Sequence, residues 1–97
     1  MTIDRKIEDG TLTLAVSGRL DTNTAPDLEA AVKLEGVAAL VFDFAGLEYI
    51  SSAGLRILLA AKKSLMASGG EMSVVNANES VKSVFEITGC SEIFGLS

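Results

Sequence analysis

The sequence contains no histidine at all. Ser-His-Asp and Cys-His nucleophilic centres are thereby excluded, as are histidine-ligated zinc sites. A serine nucleophile would need another base, and no lysine stands in the segment around Ser51 and Ser52. Neither a Gly-x-x-x-x-Gly-Lys phosphate loop nor a Gly-x-Gly-x-x-Gly dinucleotide fingerprint occurs. A paired-carboxylate site built from Asp21, Asp43 and Glu48 is compatible with the sequence, but carboxylates at strand ends more often cap turns or face water. With one cysteine, Cys90, no internal disulfide can form, which fits a reducing compartment. Cys90 reads as a small residue at the edge of the core rather than a reactive thiol. No stretch approaches the roughly 18 apolar residues of a membrane span, and the first residues lack a signal-peptide core, so a cytoplasmic protein without direct membrane insertion is expected. Basic residues are few: eight Lys and Arg against thirteen Asp and Glu give a net charge of −5. They are scattered apart from Lys62 and Lys63, which read as a solvated helix face, so no nucleic-acid partner is expected.

What is present describes one small α/β domain over residues 1–97. Hydrophobic residues make up 48% and charged residues 22%, enough apolar material for a core. Ile3, Ile7, Leu12, Leu14 and Val16 recur with strand periodicity over residues 2–17, and Asp9-Gly10 between the two runs predicts an antiparallel hairpin. Thr24 as cap, Pro26 in the first turn and the stripe Leu28, Ala31 and Val32 predict a helix over about 25–35, ending at Gly36. Ala38 to Phe44 reads as a strand buried on both faces, followed by a loop over 45–52. Leu55, Leu58, Leu59, Leu65 and Met66 predict a second helix from Ala53 to about Ser68. A strand over 72–76 follows, then a third helix capped by Asn78 with Val81, Val84 and Phe85 on one face, and a short final strand at Ile93-Phe94. Asn78-Glu79-Ser80 matches a glycosylation sequon, but the cap is the better reading. This order makes the later strands parallel through right-handed crossovers. With a monotonic strand order, all helices lie on one face, and the segments 18–24 and 45–52 open at one sheet edge.

At that edge stands Ser51-Ser52-Ala53-Gly54-Leu55, where an apolar segment meets an amphipathic helix. One serine capping the helix explains this much. The same helix start also tolerates a phosphate, because its free N–H groups and dipole favour negative charge. On a docking surface the added charge would oppose an acidic partner. Arg56, four residues after Ser52, either pairs with such a phosphate or contacts only solvent. The residues alone leave both pairs of alternatives open.

Three segments in order resemble the STAS domains of bacterial anti-sigma-factor antagonists, across essentially the whole chain. Gly18-Arg19-Leu20-Asp21-Thr22-Asn23-Thr24-Ala25 is similar to the family's Gly-x-Leu-Asp-x-x-Thr-Ala. Leu40 to Arg56, through Asp43, Gly46 and Ser51-Ser52-Ala53-Gly54, resembles its central signature, and Ile87-Thr88-Gly89-Cys90-Ser91-Glu92-Ile93-Phe94 its closing helix-turn. The resemblance implies a STAS-type βα superhelix: a mixed sheet, antiparallel hairpin first and parallel strands after, with helices mainly on one face. It implies a regulator without catalytic residues, metal or cofactor of its own. The unphosphorylated antagonist binds an anti-sigma factor that is also a serine kinase, freeing the sigma factor. The kinase then uses its own ATP to phosphorylate and release the antagonist, and a serine phosphatase resets it. The implied phosphoacceptor is Ser52, with Ser51 second, and the implied partner-binding set is Asp21, Thr22, Asn23, Thr24, Ser51, Ala53, Gly54 and Arg56. Where the family reads Asp-Ser-Ser-Gly or Asp-Ser-Thr-Gly, this chain has Ser51 in place of the aspartate. Other members of the family serve as signalling scaffolds, nucleotide-binding modules or accessory subunits of lipid transporters, which leaves a non-phosphorylated subunit as the alternative.

Overall fold

The computed structural model describes residues 1–90. Chain order is β1 (Thr2–Glu8), β2 (Thr11–Leu20), α1 (Ala25–Ala31), β3 (Ala39–Ile50), α2 (Ser52–Ala67), β4 (Glu71–Val75) and α3 (Glu79–Ile87). The strands lie in the order β1-β2-β3-β4, with β1 antiparallel to β2 and the other two pairings parallel. The expected mixed sheet and monotonic order are therefore present. Asp9 and Gly10 both take positive φ, 50° and 80°, which is the backbone a two-residue hairpin demands and the reason an Asp-Gly pair stands there.

Alternation along β2 and β3 sends Leu12, Leu14, Val16, Leu40, Phe42 and Phe44 into a single core. Ala25 and Leu28 of α1, Leu55, Leu58, Ala61 and Leu65 of α2, and Val81 and Phe85 of α3 join them, so the helices cover that face. The other face stays half-exposed at Thr13, Ala15, Ala39 and Val41, so β3 is not buried on both sides as its apolar run suggests. Ile7 points to the core face, opposite Leu12, yet remains 51% exposed because β1 is an edge strand. Met66 is 67% exposed and lies outside the α2 stripe.

Two further expectations are corrected. Helix α1 ends at Ala31, not near residue 35: Val32 is extended, and a turn closed by the Val37 N–H on the Leu34 carbonyl delivers the chain to Gly10. There the Ala38 N–H meets the Gly10 carbonyl at 2.7 Å, which starts β3. Strand β3 does not stop at Phe44 but continues to Ile50. Its buried positions change spacing from two to three: Phe44, Leu47, Ile50. Between Ala15/Asp43 and Ser17/Gly46, β2 advances two residues and β3 three; between Gly18/Leu47 and Arg19/Tyr49 they advance one and two. Each shift is a β-bulge that adds one residue and twists the strand end. The expected strand at Ile93-Phe94 lies outside the described residues.

Helix α3 begins as expected. Asn78 Oδ1 accepts from the Val81 N–H at 2.9 Å, while its Nδ2 donates to the Leu47 carbonyl at 2.9 Å, pinning the helix to β3. At its other end Gly89 takes φ 75°, and the Cys90 N–H reaches the Phe85 carbonyl at 2.7 Å, a Schellman closure that tucks Cys90 against the core. Replacing Asn78 with Ala removes a cap and a tether together, and a loss of about 1–2 kcal/mol is expected in denaturant unfolding.

Candidate functional site

The ends of β2 and β3 carry the site. Ser51 follows Ile50 in an extended conformation, and its N–H donates to the Leu20 carbonyl at 2.8 Å, locking the two strand ends together. Its Oγ accepts from the Gly54 N–H at a long 3.4 Å, so Ser51 is the N-cap of α2. The cap reading therefore belongs to Ser51. It leaves Ser52, the first helical residue, exposed to solvent.

Gly54 is buried, and its lack of a side chain decides where the helix starts. A Cβ there would lie 2.7 Å from Leu20 Cγ and 3.0 Å from Ile50 Cγ1. Only a glycine lets the first turn of α2 rest directly on the last core residues of both strands, and that contact holds Ser52 at the sheet edge. Ala53 is half-buried and Arg56 exposed. Among the described residues the one ion pair is Lys6–Glu8 at 3.6 Å, so Arg56 pairs with none of the carboxylates described.

Beside this helix start lies the turn 21–24. Asp21 Oδ1 accepts from the N–H groups of Asn23 at 3.0 Å and Thr24 at 3.1 Å. Thr24 stands at the N-cap position of α1 but makes no side-chain capping bond. Its hydroxyl instead accepts from the Asp21 N–H and donates to the Arg19 carbonyl, both at 2.9 Å. Thr24 and Asp21 thus brace each other across the turn, which leaves Thr22 and Asn23 exposed at its tip. The Thr24 N–H holds the Asp21 carboxyl below its ordinary pKa; the Thr24 hydroxyl, the Asn23 N–H and the Arg19 charge act in the same direction, against partial desolvation. A carboxyl depressed on folding contributes stability above its unfolded pKa and loses it as the pH falls through the folded value. Wild type is accordingly expected to exceed Asp21→Asn in thermal stability near neutral pH, with the gap closing in strong acid.

The structure brings Asp21, Thr22, Asn23, Thr24, Ser51, Ser52, Ala53, Gly54 and Arg56 to one edge. The segments 18–20 and 45–50, expected as loops, are strand. Asp43 is not poised for acid–base work: its Oδ1 accepts from the Ala45 N–H at 3.0 Å and from Asn76 Nδ2 at 3.1 Å, joining the first bulge of β3 to the end of β4. Sequence reasoning missed Tyr49 and Arg19. The guanidinium carbon of Arg19 lies 4.4 Å from the Tyr49 ring centroid, and the two residues are in register across β2 and β3. The change to three-residue spacing after Phe44 was the available signal. No helix among the described residues is long and apolar enough to cross a membrane.

Comparison with known proteins agrees with this geometry. The family model for the STAS domain matches residues 2–97. BtrV of Bordetella bronchiseptica, provisionally named an anti-sigma factor antagonist, is 37% identical over 89% of this chain and 77% of its own length. A crystal structure of an anti-sigma factor antagonist from Mycobacterium paratuberculosis superposes with a TM-score of 0.82 at 31% identity, covering 98% of this chain and 83% of that one. The anti-sigma factor antagonist SpoIIAA in its unphosphorylated form shares the fold, with a TM-score of 0.84 at 20% identity over 94% of this chain and 84% of its own.

Proposed function

Because the chain belongs to the STAS domain family, we propose that it acts as an anti-sigma factor antagonist whose hold on its partner is set by the charge on Ser52. The observation that carries this reading is the placement of Ser52: exposed, first in α2, and fixed beside the turn 21–24 by the Ser51 to Leu20 bond. The relatives named above as antagonists support the partner class. The partner is an anti-sigma factor that is also a serine kinase, and it docks across Asp21 to Thr24 and the start of α2 in a cytoplasmic cycle. While the hydroxyl is free, the antagonist sequesters that factor and the sigma factor is released.

Phosphorylation adds about −1.5 to −2 charge at the acceptor. In the free protein the charge is easily accommodated, because the N-terminal N–H groups and dipole of a helix favour an anion by about 0.3–1 kcal/mol. In the complex it must lose water, and juxtaposed like charges cost several kcal/mol. That penalty outweighs the gain at the helix start, so the phosphorylated antagonist lets go without a change of fold. Arg56, one turn on and without an ion pair among the described residues, supplies a guanidinium to the phosphate. A serine phosphatase restores the binding form. Nothing in the cycle asks a catalytic group, metal or cofactor of this chain, and ATP belongs to the kinase. Incubation with radiolabelled ATP and a serine-kinase anti-sigma factor from the same organism tests the assignment. Wild type and Ser51→Ala should gain label and Ser52→Ala should not; label lost only in Ser51→Ala would move the acceptor by one residue.

A further inference from the structure

We infer that Arg19, held over Tyr49, is a carboxylate-reading anchor of the docking edge, selecting an anti-sigma factor that presents an Asp or Glu side chain there. This inference rests on the antagonist reading above and adds to it a contact outside the Asp21–Thr24 turn and the start of α2. The bulge at Glu48 is what creates the pair. By inserting one residue between Leu47 and Tyr49, it sets Tyr49 opposite Arg19 and turns both away from the core, one position before Leu20 and Ile50. Tyr49 is consequently 39% exposed, an aromatic ring open to solvent on the edge that carries Ser52. A guanidinium 4.4 Å from the ring centroid gains cation–π attraction, which restrains a side chain that would otherwise lose rotamer freedom on binding. The backbone beneath it is fixed as well, since the Arg19 carbonyl accepts the Thr24 hydroxyl at 2.9 Å.

The charge on Arg19 acts on the Asp21 carboxylate only at a distance, without direct ion pairing among the described residues. That carboxylate already accepts two backbone N–H groups of its own turn. Fixed in place in a protein of net charge −5, this cation offers its fork of donors to a carboxylate from outside. Arg and Tyr are also the residue types that dominate binding energy at protein interfaces.

Titration calorimetry with purified serine-kinase anti-sigma factors of the same organism decides the matter. Arg19→Gln and Tyr49→Leu should each weaken binding about tenfold, with the double variant little worse than either, because the two act as one unit. Tyr49→Phe, which keeps the ring, should stay within about twofold of wild type, and all variants should melt near the wild-type temperature. Wild-type affinity in Arg19→Gln, alongside a Ser52→Asp variant that fails to bind, would overturn the anchor alone. A wild-type protein bound by none of these factors would overturn the antagonist reading and the anchor with it.

Discussion

Ser52→Asp is expected to weaken binding to the anti-sigma factor about thirty- to a hundredfold while leaving the fold intact or slightly more stable. The two effects have opposite signs because the same carboxylate meets two environments. At the start of α2 it faces unpaired N–H groups and the positive end of a 16-residue helix, worth about 0.3–1 kcal/mol in its favour. Beneath a docked partner it is stripped of water, at a cost of about 2–3 kcal/mol, which converts to the stated loss. Calorimetric binding and thermal unfolding of the same preparation check both halves. Unchanged affinity would refute the electrostatic switch, whatever the kinase does. Ser52→Asn, similar in size and uncharged, should bind far better than Ser52→Asp.

Gly54→Val is expected to destabilise the protein by about 1–3 kcal/mol, the usual range for overpacking a filled site. For a domain of this length that corresponds to a fall in Tm of about 4–8 °C per kcal/mol. The clash falls on Leu20 Cγ and Cδ2 and on Ile50 Cγ1, side chains fully buried in the core, so relief requires the first turn of α2 to lift off the strands. Binding should fall as well, since Ser52 rides on that turn. Gly54→Ala should do less, because alanine regains about 1 kcal/mol of helix preference. An unchanged melting temperature in Gly54→Val would show that the turn yields freely and is not what positions Ser52.

Much of this is legible in the order of the residues alone, and the successes share a cause. The Asp9-Gly10 hairpin, the Asn78 cap and the long stripe of α2 are local signals whose physics is complete within a few residues. The parallel pairing of the later strands follows from the crossovers between them, whereas the monotonic order is the favoured arrangement among those the crossovers allow, and the structure has it. The failures share a cause too. The full length of β3 beyond Phe44 is hidden because two bulges replace its alternation with a spacing of three, and a bulge is defined by the partner strand. Thr24 has the chemistry of a helix cap, yet its hydroxyl serves Asp21 and Arg19, and that competition is settled by the shape of the turn. The proposal of Ser52 as acceptor comes from the resemblance. The exposure of Ser52 beside a capping Ser51 required the structure, as did the Arg19–Tyr49 pair: the three-residue spacing after Phe44 signals a change in β3 but does not give its register on β2.

The antiparallel start of the sheet has a practical corollary. Thr2 pairs with Ser17, and the Met1 Cα lies only 3.3 Å from where a side chain on Gly18 would begin. Any affinity handle or fluorescent reporter fused ahead of Met1 therefore emerges on the rim that carries Ser52 and would shoulder aside the visitor it is meant to help capture. The opposite rim, where Gly10, Ala38 and Glu71 meet through backbone bonds, is the safer attachment point. A reporter inserted at the Asp9-Gly10 turn would leave the recognition end free.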